Sequence, residues 1–253
     1  MTMPVTMPVT PQMAGEMTPD QLYATVEATW PAAARHRHGP WLLREGRGGG
    51  QRVSAATAEV PAADGDIALA EAAQADLGQP SLFMIRHGDS ALDMLLAARG
   101  YLRHDPVVAY AAPVAQLAAP APDPMTAFPL WPPLAIATGL WAEAGIGAGR
   151  LAVMDRVVGP KTCILGRAND RAAGVAFVAC AGNQAMLHAL EVTPGQRRQG
   201  SANNILRAAA GWAQDQGATT FSLVVTEANA AARALYASLG MHVVGQYHYR
   251  KKP

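Results

Sequence analysis

Residues 192–202 read Val-Thr-Pro-Gly-Gln-Arg-Arg-Gln-Gly-Ser-Ala and lie between a strand-like run and a long helical run. A chain passing from a strand through Arg197, Arg198, Gln199, Gly200, Ser201, Ala202 and Asn203 into a helix builds a cradle for a pyrophosphate. The first N–H groups of a helix have no intrahelical acceptor, and the helix dipole puts partial positive charge at the same end. Gly200 permits close backbone approach, Ala202 keeps the wall small, and the two arginines add charge. The strand before the loop carries groups that can move protons. Period-two alternation sets Met186, His188, Leu190 and Val192 on one face and Leu187, Ala189 and Glu191 on the other. A histidine near its intrinsic pKa of about 6.5 can take an ammonium proton. Glu191 is the fallback base if a bulge reverses the alternation.

These groups need a scaffold, and the C-terminal half spells one out. Short helices are expected over 140–144 and 150–157. Strands are expected over 161–167 and 174–181, joined by the turn signal Asn169-Asp170, and over 185–192. Ile205, Leu206, Ala209 and Trp212 give helical periodicity from Ser201 to a stop at Gly217. A strand over 220–225 leads to Asn229, a good N-cap for a helix burying Ala232, Leu235, Tyr236 and Leu239. Gly240 ends that helix, and residues 242–249 close the sheet.

The segment 229–241, Asn-Ala-Ala-Ala-Arg-Ala-Leu-Tyr-Ala-Ser-Leu-Gly-Met, and the loop before it together resemble the GNAT superfamily of acyl-CoA-dependent N-acetyltransferases. That family has a loop of pattern [Gln/Arg]-x-x-Gly-x-[Gly/Ala] and a later helix of pattern Asn-x-x-Ala-x-x-Leu-Tyr-x-x-Leu-Gly-[Phe/Met]. Both patterns are filled here in the right order, about 30 residues apart. The resemblance implies an α/β fold with a mixed, mostly antiparallel sheet flanked by helices, and acetyl-CoA as co-substrate with no metal. It implies that main-chain groups of Leu190 and Val192 pair with the pantetheine amides. The loop N–H groups from Arg198 to Asn203 would take the pyrophosphate, with Asn229 near the pantetheine arm. Tyr236 would be the general acid, since a phenol of pKa about 10 keeps its proton at neutral pH. His188 sits on a stretch similar to the histidine-bearing strand of arylalkylamine N-acetyltransferases and is the first candidate base.

Bulk properties fit an ordinary soluble cytoplasmic protein. The chain has 253 residues, half of them hydrophobic, and a net charge of +1, which gives no electrostatic footprint for nucleic acid or an anionic membrane. Apolar runs are too short to span a bilayer, and the N-terminus lacks a secretory pattern. Cys163 and Cys180 fall in apolar strand-like runs and read as buried free thiols. Residues 1–17, with two copies of Thr-Met-Pro-Val, read as a disordered tail. Seven prolines between Pro113 and Pro133 predict a stiff linker over 116–133, separating an N-terminal half (18–115) from a catalytic half (134–253).

The N-terminal half echoes the other at an offset of 140 residues. Residues 89–100 sit over 229–240, with Leu95 over Leu235 and Gly100 over Gly240. The strand-like 81–85 sits over 221–225, and the helix 67–77 takes the place of the loop-following helix. This reads as a tandem of GNAT-like halves with a degenerate first copy. Leu96 stands where the second copy has Tyr236, and Asp64 and Asp66 stand where it has arginines. Carboxylates there complement the helix dipole and repel a pyrophosphate, so one acyl-CoA site per chain is expected. Residues 39–58, with a glycine turn at 47–52, resemble the start of bacterial two-domain GNAT proteins and read as a hairpin.

Other clusters carry less. His36 and His38 lack a nearby Cys or carboxylate and read as solvated rather than metal-binding. The Gly145–Gly149 run has no strand before it and is not a dinucleotide turn. Trp141, Tyr247, His248 and Tyr249 would line an aromatic acceptor pocket or pack in the core. The leading expectation is an acetyltransferase for a small-molecule primary amine. A protein N-terminal or lysine acetyltransferase and a non-catalytic acyl-CoA-binding regulatory module are the alternatives. A homodimer is left open.

Overall fold

The computed structural model describes residues 16–253. Most of the expected tail lies outside the described residues, but Met17 is buried with Leu22 and Val26. The first helix, α1 (Pro19–Thr29), was not anticipated, although its start signal is complete. Thr18 Oγ1 accepts from the Gln21 N–H at 3.2 Å, and Gln21 Oε1 accepts from the Thr18 N–H at 3.0 Å. Pro19 opens the first turn, where a missing N–H costs nothing.

A small antiparallel sheet follows, made of β1 (Ala34–His38), β2 (Trp41–Glu45) and β3 (Thr57–Ala58) in that order. The glycine segment between β2 and β3 is longer than a hairpin turn and includes a 3-10 turn at Gln51–Val53. The outer strand β1 leaves Arg35, His36, Arg37 and His38 exposed, as a solvated segment would be. Then come α2 (Asp64–Asp76), β4 (Leu82–Ile85), α3 (Ser90–Ala98) and β5 (Leu102–Pro113). Ala56 bridges Phe83 in parallel, so the small sheet abuts β4. Trp41, Phe83, Leu96 and Tyr101 fill the core between them.

The C-terminal half supplies α4 (Val114–Ala118), β6 (Ala127–Leu130), α5 (Ala135–Glu143), α6 (Ala148–Arg156), β7 (Lys161–Ala168), β8 (Arg171–Ala181), β9 (Gln184–Val192), α7 (Ser201–Asp215), β10 (Thr220–Thr226), α8 (Ala230–Ser238) and β11 (His242–Lys251). The turn between β7 and β8 has Asn169 and Asp170 at φ 52° and 56°, the left-handed pair that a tight hairpin requires. On α7 the stripe Ile205, Leu206, Ala209, Ala210 and Ala213 is buried against the sheet. Each large aliphatic side chain on such a stripe contributes roughly 1.5–3 kcal/mol. Cys163 and Cys180 are buried free thiols, with burial pushing the first up to about 12 and the second to about 11.

Two expectations about organisation need correcting. The proline-rich stretch 116–133 is not a bare linker, because β6 lies within it and pairs with β7 from Ala127↔Gly166 to Leu130↔Cys163. Pro129 is tolerated because β6 is the last strand of its sheet, where a missing N–H can face outward. Nor do residues 18–115 and 134–253 stand as separate units. The main sheet has eight strands in the order β4-β11-β5-β10-β9-β8-β7-β6. β5 enters between β10 and β11, pairing antiparallel with both, while β11 crosses to pair with β4. Val107 to Ala112 are buried on both faces, which suits a central strand and no other place. Residues 242–249 therefore extend the sheet beyond β5 instead of closing it against β10.

Candidate acyl-transfer site

The site begins where two strands part. β9 and β10 are the one parallel pair of the main sheet, and their register runs only from Gln184↔Thr220 to Leu187↔Leu223. Beyond that point β10 stays with β5, pairing through Thr226↔Val107, while β9 follows β8. A wedge opens between them, with main-chain groups of β9 along one wall.

A β-bulge shapes that wall. Val175 pairs with Glu191 and Phe177 with His188, so β9 spends one residue more than β8 across the interval. Ala189 takes φ +50°, a left-handed conformation that costs a non-glycine residue about 1 kcal/mol or more. The indole N–H of Trp141, on α5, donates to the Ala189 carbonyl at 2.8 Å and fixes the kink. The bulge overturns the simple alternation read from sequence. Leu190 and Val192 pack with Leu187 against the α7 side, whereas Met186 lies under α1 on the opposite face. Glu191 turns toward α5 and α6, beside Leu140 and Arg150.

The wedge leads into the start of α7. Gly200 caps the helix at φ 82°, and Arg198, two residues earlier, also has positive φ at 60°. The first backbone amide to turn back into the helix is that of Asn204, donating to Gly200 at 3.0 Å. The amides of Ser201, Ala202 and Asn203 thus have no intrahelical acceptor and point out from the start of the helix. The loop is braced locally. Asn169 Nδ2 donates to Gln199 Oε1 at 2.8 Å, Arg197 Nε donates to the Val192 carbonyl at 3.1 Å, and Ser201 Oγ donates to the Gln196 carbonyl at 3.4 Å. Asn203 Oδ1 accepts from Arg207 Nε at 3.3 Å. An acyl-CoA fits this set of groups: open helix amides for its pyrophosphate and an unpaired strand edge for its amides.

A cavity of about 360 Å³ joins the wedge to the N-terminal half. On one side it is lined by Leu190, Glu191, Asn229 and Tyr236, and on the other by Gln51, Arg52, Tyr247 and Tyr249. Asn229 caps α8, its Oδ1 accepting from the Ala232 N–H at 3.1 Å. That cap sets the angle at which Tyr236 enters, its ring 5.7 Å from that of Tyr110. Burial pushes the Tyr236 phenol up to about 12, with Glu191 adding to the rise. Burial likewise raises the Glu191 carboxyl, against the opposing pull of Arg197 and Arg150.

His188 is not placed as a free base. Its Nδ1 lies 3.1 Å from Arg52 Nη1, and its Nε2 lies 2.9 Å from Thr29 Oγ1. A guanidinium can only donate, so Nδ1 accepts and the proton sits on Nε2, directed at Thr29. Thr29 passes its own hydroxyl proton to the Thr25 carbonyl at 2.6 Å. The ring is 5% exposed and stacks 4.9 Å from Trp30. Burial, and then the charge of Arg52, hold its pKa well below the usual range. Both nitrogens are engaged and the lone pair belongs to Arg52, so His188 serves as a neutral buried connector between the halves.

Among the aromatic residues singled out from sequence, Tyr247 and Tyr249 line the cavity. Trp141 is spent on the bulge, and His248 Nε2 is 2.8 Å from Asp93 Oδ1, away from the cavity. Arg52 and Gln51 were missed because the glycine turn around them read as a hairpin connection. Helix α2 begins among carboxylates, with Asp64 paired to Arg99 at 2.7 Å and Asp66 Oδ2 accepting from the Ala63 N–H at 2.8 Å.

Comparison with known proteins agrees with this geometry. Residues 138–241 match the model of the acetyltransferase (GNAT) family. YobR of Bacillus subtilis (strain 168), described as an uncharacterized N-acetyltransferase, is 25% identical over 236 residues, covering 89% of this chain and 95% of its own. The GCN5-related N-acetyltransferase from Kribbella flavida shares the fold with a TM-score of 0.69 at 17% identity, over 94% of this chain and 96% of its own. A tandem GNAT protein from the clavulanic acid biosynthesis pathway aligns with a TM-score of 0.60 at 14% identity, over 95% and 89%. Over residues 138–241, then, the chain is similar to the acetyltransferases of the GNAT family.

Proposed function

We propose that the protein transfers an acetyl group from acetyl-CoA to the primary amine of a small molecule by direct attack. The observation that carries this reading is the wedge. Parallel pairing stops at Leu187↔Leu223, a helix N-terminus stands at its mouth, and its inner end opens on Tyr236. Main-chain groups of Leu190 and Val192 hold the pantetheine arm beside Asn229. Amides from Arg198 to Asn203 hold the pyrophosphate, with the Arg197 and Arg198 charges nearby.

The bound thioester supplies an electrophilic carbonyl and a thiolate leaving group. Tyr236, with its pKa raised to about 12, keeps its proton at every physiological pH and gives it to the sulfur as the C–S bond breaks. Glu191, whose raised pKa makes it a better base than an exposed carboxylate, takes the proton that the amine loses as its C–N bond forms. This role falls to Glu191 because the Ala189 bulge turns it into the cavity, while His188 has no lone pair to offer. The cavity's size favours a small amine over a peptide, since the N-terminal half walls one side.

The halves are proposed to be a duplication. Each runs antiparallel strands, helix, strand, helix, strand, and each places its helix-flanked strand parallel to the one before, as Ala56↔Phe83 and as β9 with β10. Their last strands are exchanged, β5 going to β10 and β11 to β4. The first copy binds no acyl-CoA because Asp64 and Asp66 occupy its helix start. The test is calorimetric titration with acetyl-CoA, followed by thiol release across a panel of small amines and a lysine peptide. One binding site and turnover of small amines is the expected result. Tight binding without turnover would leave a regulatory acyl-CoA-binding module, and preference for the peptide would make it a protein acetyltransferase.

A further inference from the structure

Arg52, half-buried with its Nε fully shielded, breaks a rule that the buried Arg44 obeys. The Arg44 guanidinium is 2.5 Å from the Glu27 carboxylate. Arg52, by contrast, has no carboxylate within ion-pair distance among the described residues. Its Nη1 is spent on His188, its Nε is buried with no hydrogen bond of good geometry, its guanidinium carbon lies 5.9 Å from the Trp30 ring centre, and the Tyr247 and Tyr249 hydroxyls, both neutral groups, face it. A buried charge held without a counter-ion is costly unless a ligand supplies one. Two further orphans line the same cavity. Tyr247 Oη, on a residue only 3% exposed, faces Arg52 and Tyr249 but is buried with no hydrogen bond of good geometry, and Gln51 Oε1 is buried without a partner. The Gln51 amide is held in place from its other end, Nε2 donating to Asp105 Oδ2 at 2.9 Å.

We infer that the acceptor of this transferase is an amine that also bears a carboxylate, an amino acid or a close relative, and that Arg52 and Tyr247 bind that carboxylate. The inference rests on the transferase reading above. The Nε–Nη2 edge of a guanidinium presents two parallel donors matched to a planar carboxylate, and a phenol adds a third. Gln51 Oε1 complements them, accepting an N–H from the same molecule. A phosphate fits less well, because Asp105 and Glu191 share the cavity and would repel a dianion. Arg52 determines specificity by binding the acceptor, and it reaches the cavity from the N-terminal half.

The test uses the full chain and matched pairs of acceptors: phenylalanine with phenethylamine, and leucine with isopentylamine, with aminoethyl phosphate alongside. Wild-type kcat/KM for each acid is expected to exceed that for its decarboxylated partner at least tenfold, mainly through KM. In Arg52→Lys, which keeps the charge and loses the fork, the acid-to-amine ratio falls toward one. Bound acetyl-CoA stoichiometry reports whether the variant is folded, and the wild-type ratio decides the matter if it is not. Equal rates for acids and amines in the wild type would overturn the carboxylate inference and leave the transferase standing. Preference for aminoethyl phosphate would overturn it in favour of a phosphate site. No turnover of any member would instead defeat the transferase reading itself.

Discussion

His188 gives the sharpest test of how the two halves are joined. In the folded chain it is neutral, accepting from Arg52 and donating to Thr29, and its pKa lies well below the usual range. In the unfolded chain it titrates near ~6.5. As pH falls below ~6.5 the unfolded chain takes up a proton that the folded chain refuses, so stability falls with pH. The limiting slope is about 1.4 kcal/mol per pH unit, and between pH 7 and pH 5 the loss approaches about 2 kcal/mol. The perturbation is His188→Gln, which keeps one acceptor and one donor and removes the titration. Urea unfolding at half-unit steps from pH 7.5 to 5 should give a wild-type stability curve that drops about 2 kcal/mol further than that of the variant. Parallel curves would refute the reasoning, as would a His188 ring resonance titrating near 6.5 in the native protein. Catalysis gives a second reading of the same variant. If His188 were the base, His188→Gln would abolish the acid limb of the kcat/KM profile, whereas that limb should survive with Glu191 in place.

Three other outcomes are expected. Tyr236→Phe keeps the ring against Tyr110 and removes the proton donor, so kcat should fall about 10²–10⁴-fold while acetyl-CoA affinity measured by calorimetry stays within a factor of about three. Glu191→Gln should flatten the rise of kcat/KM with pH, because a base works only when deprotonated and burial has moved this one above the ordinary carboxylate range. An unchanged profile would return the base role to another group. Gly174→Ala places a Cβ 2.5 Å from the Glu191 carbonyl oxygen and 3.2 Å from the Val192 Cα, so β9 must shift. A loss of about 1–3 kcal/mol in stability is expected, with a raised KM for acetyl-CoA.

What could be read in the sequence was local, and what could not was decided at long range. The Asn169-Asp170 turn, the Asn229 cap and the apolar stripe of α7 each follow from residues within a few positions of one another, and each is found where its signal lies. The insertion of β5 between β10 and β11 depends on pairings such as Val107↔Thr226 and Val107↔Tyr247, more than a hundred residues apart, and leaves no local mark. β6 escaped notice because prolines forbid interior strands but permit an outer one, and sequence does not say which strand is outermost. The bulge at Ala189 had the largest effect on the site. Nothing in Leu187-His188-Ala189-Leu190 announces it, since an indole on α5 donates the bond that holds it. Without the bulge, alternation assigns His188 to the cleft face and Glu191 away from it.

Residues from both halves of the chain line the cavity. The groups proposed to hold the donor come from β9, α7, α8 and the loop between β9 and α7, whereas Arg52 and Gln51 come from the 3-10 turn at Gln51–Val53. That turn is held in register by the contact between Arg52 and His188, 136 residues apart, and by Gln51 bonding to Asp105 at the start of β5. β5 is in turn locked between β10 and β11. The turn that carries Arg52 and Gln51 is thereby fixed to β9 through the sheet itself, which under the proposed function holds the acceptor against the donor. Preorganisation of this kind places reacting groups before binding and lowers the entropic cost of the encounter. The same arrangement lets the turn at 47–52 change without disturbing the donor strand.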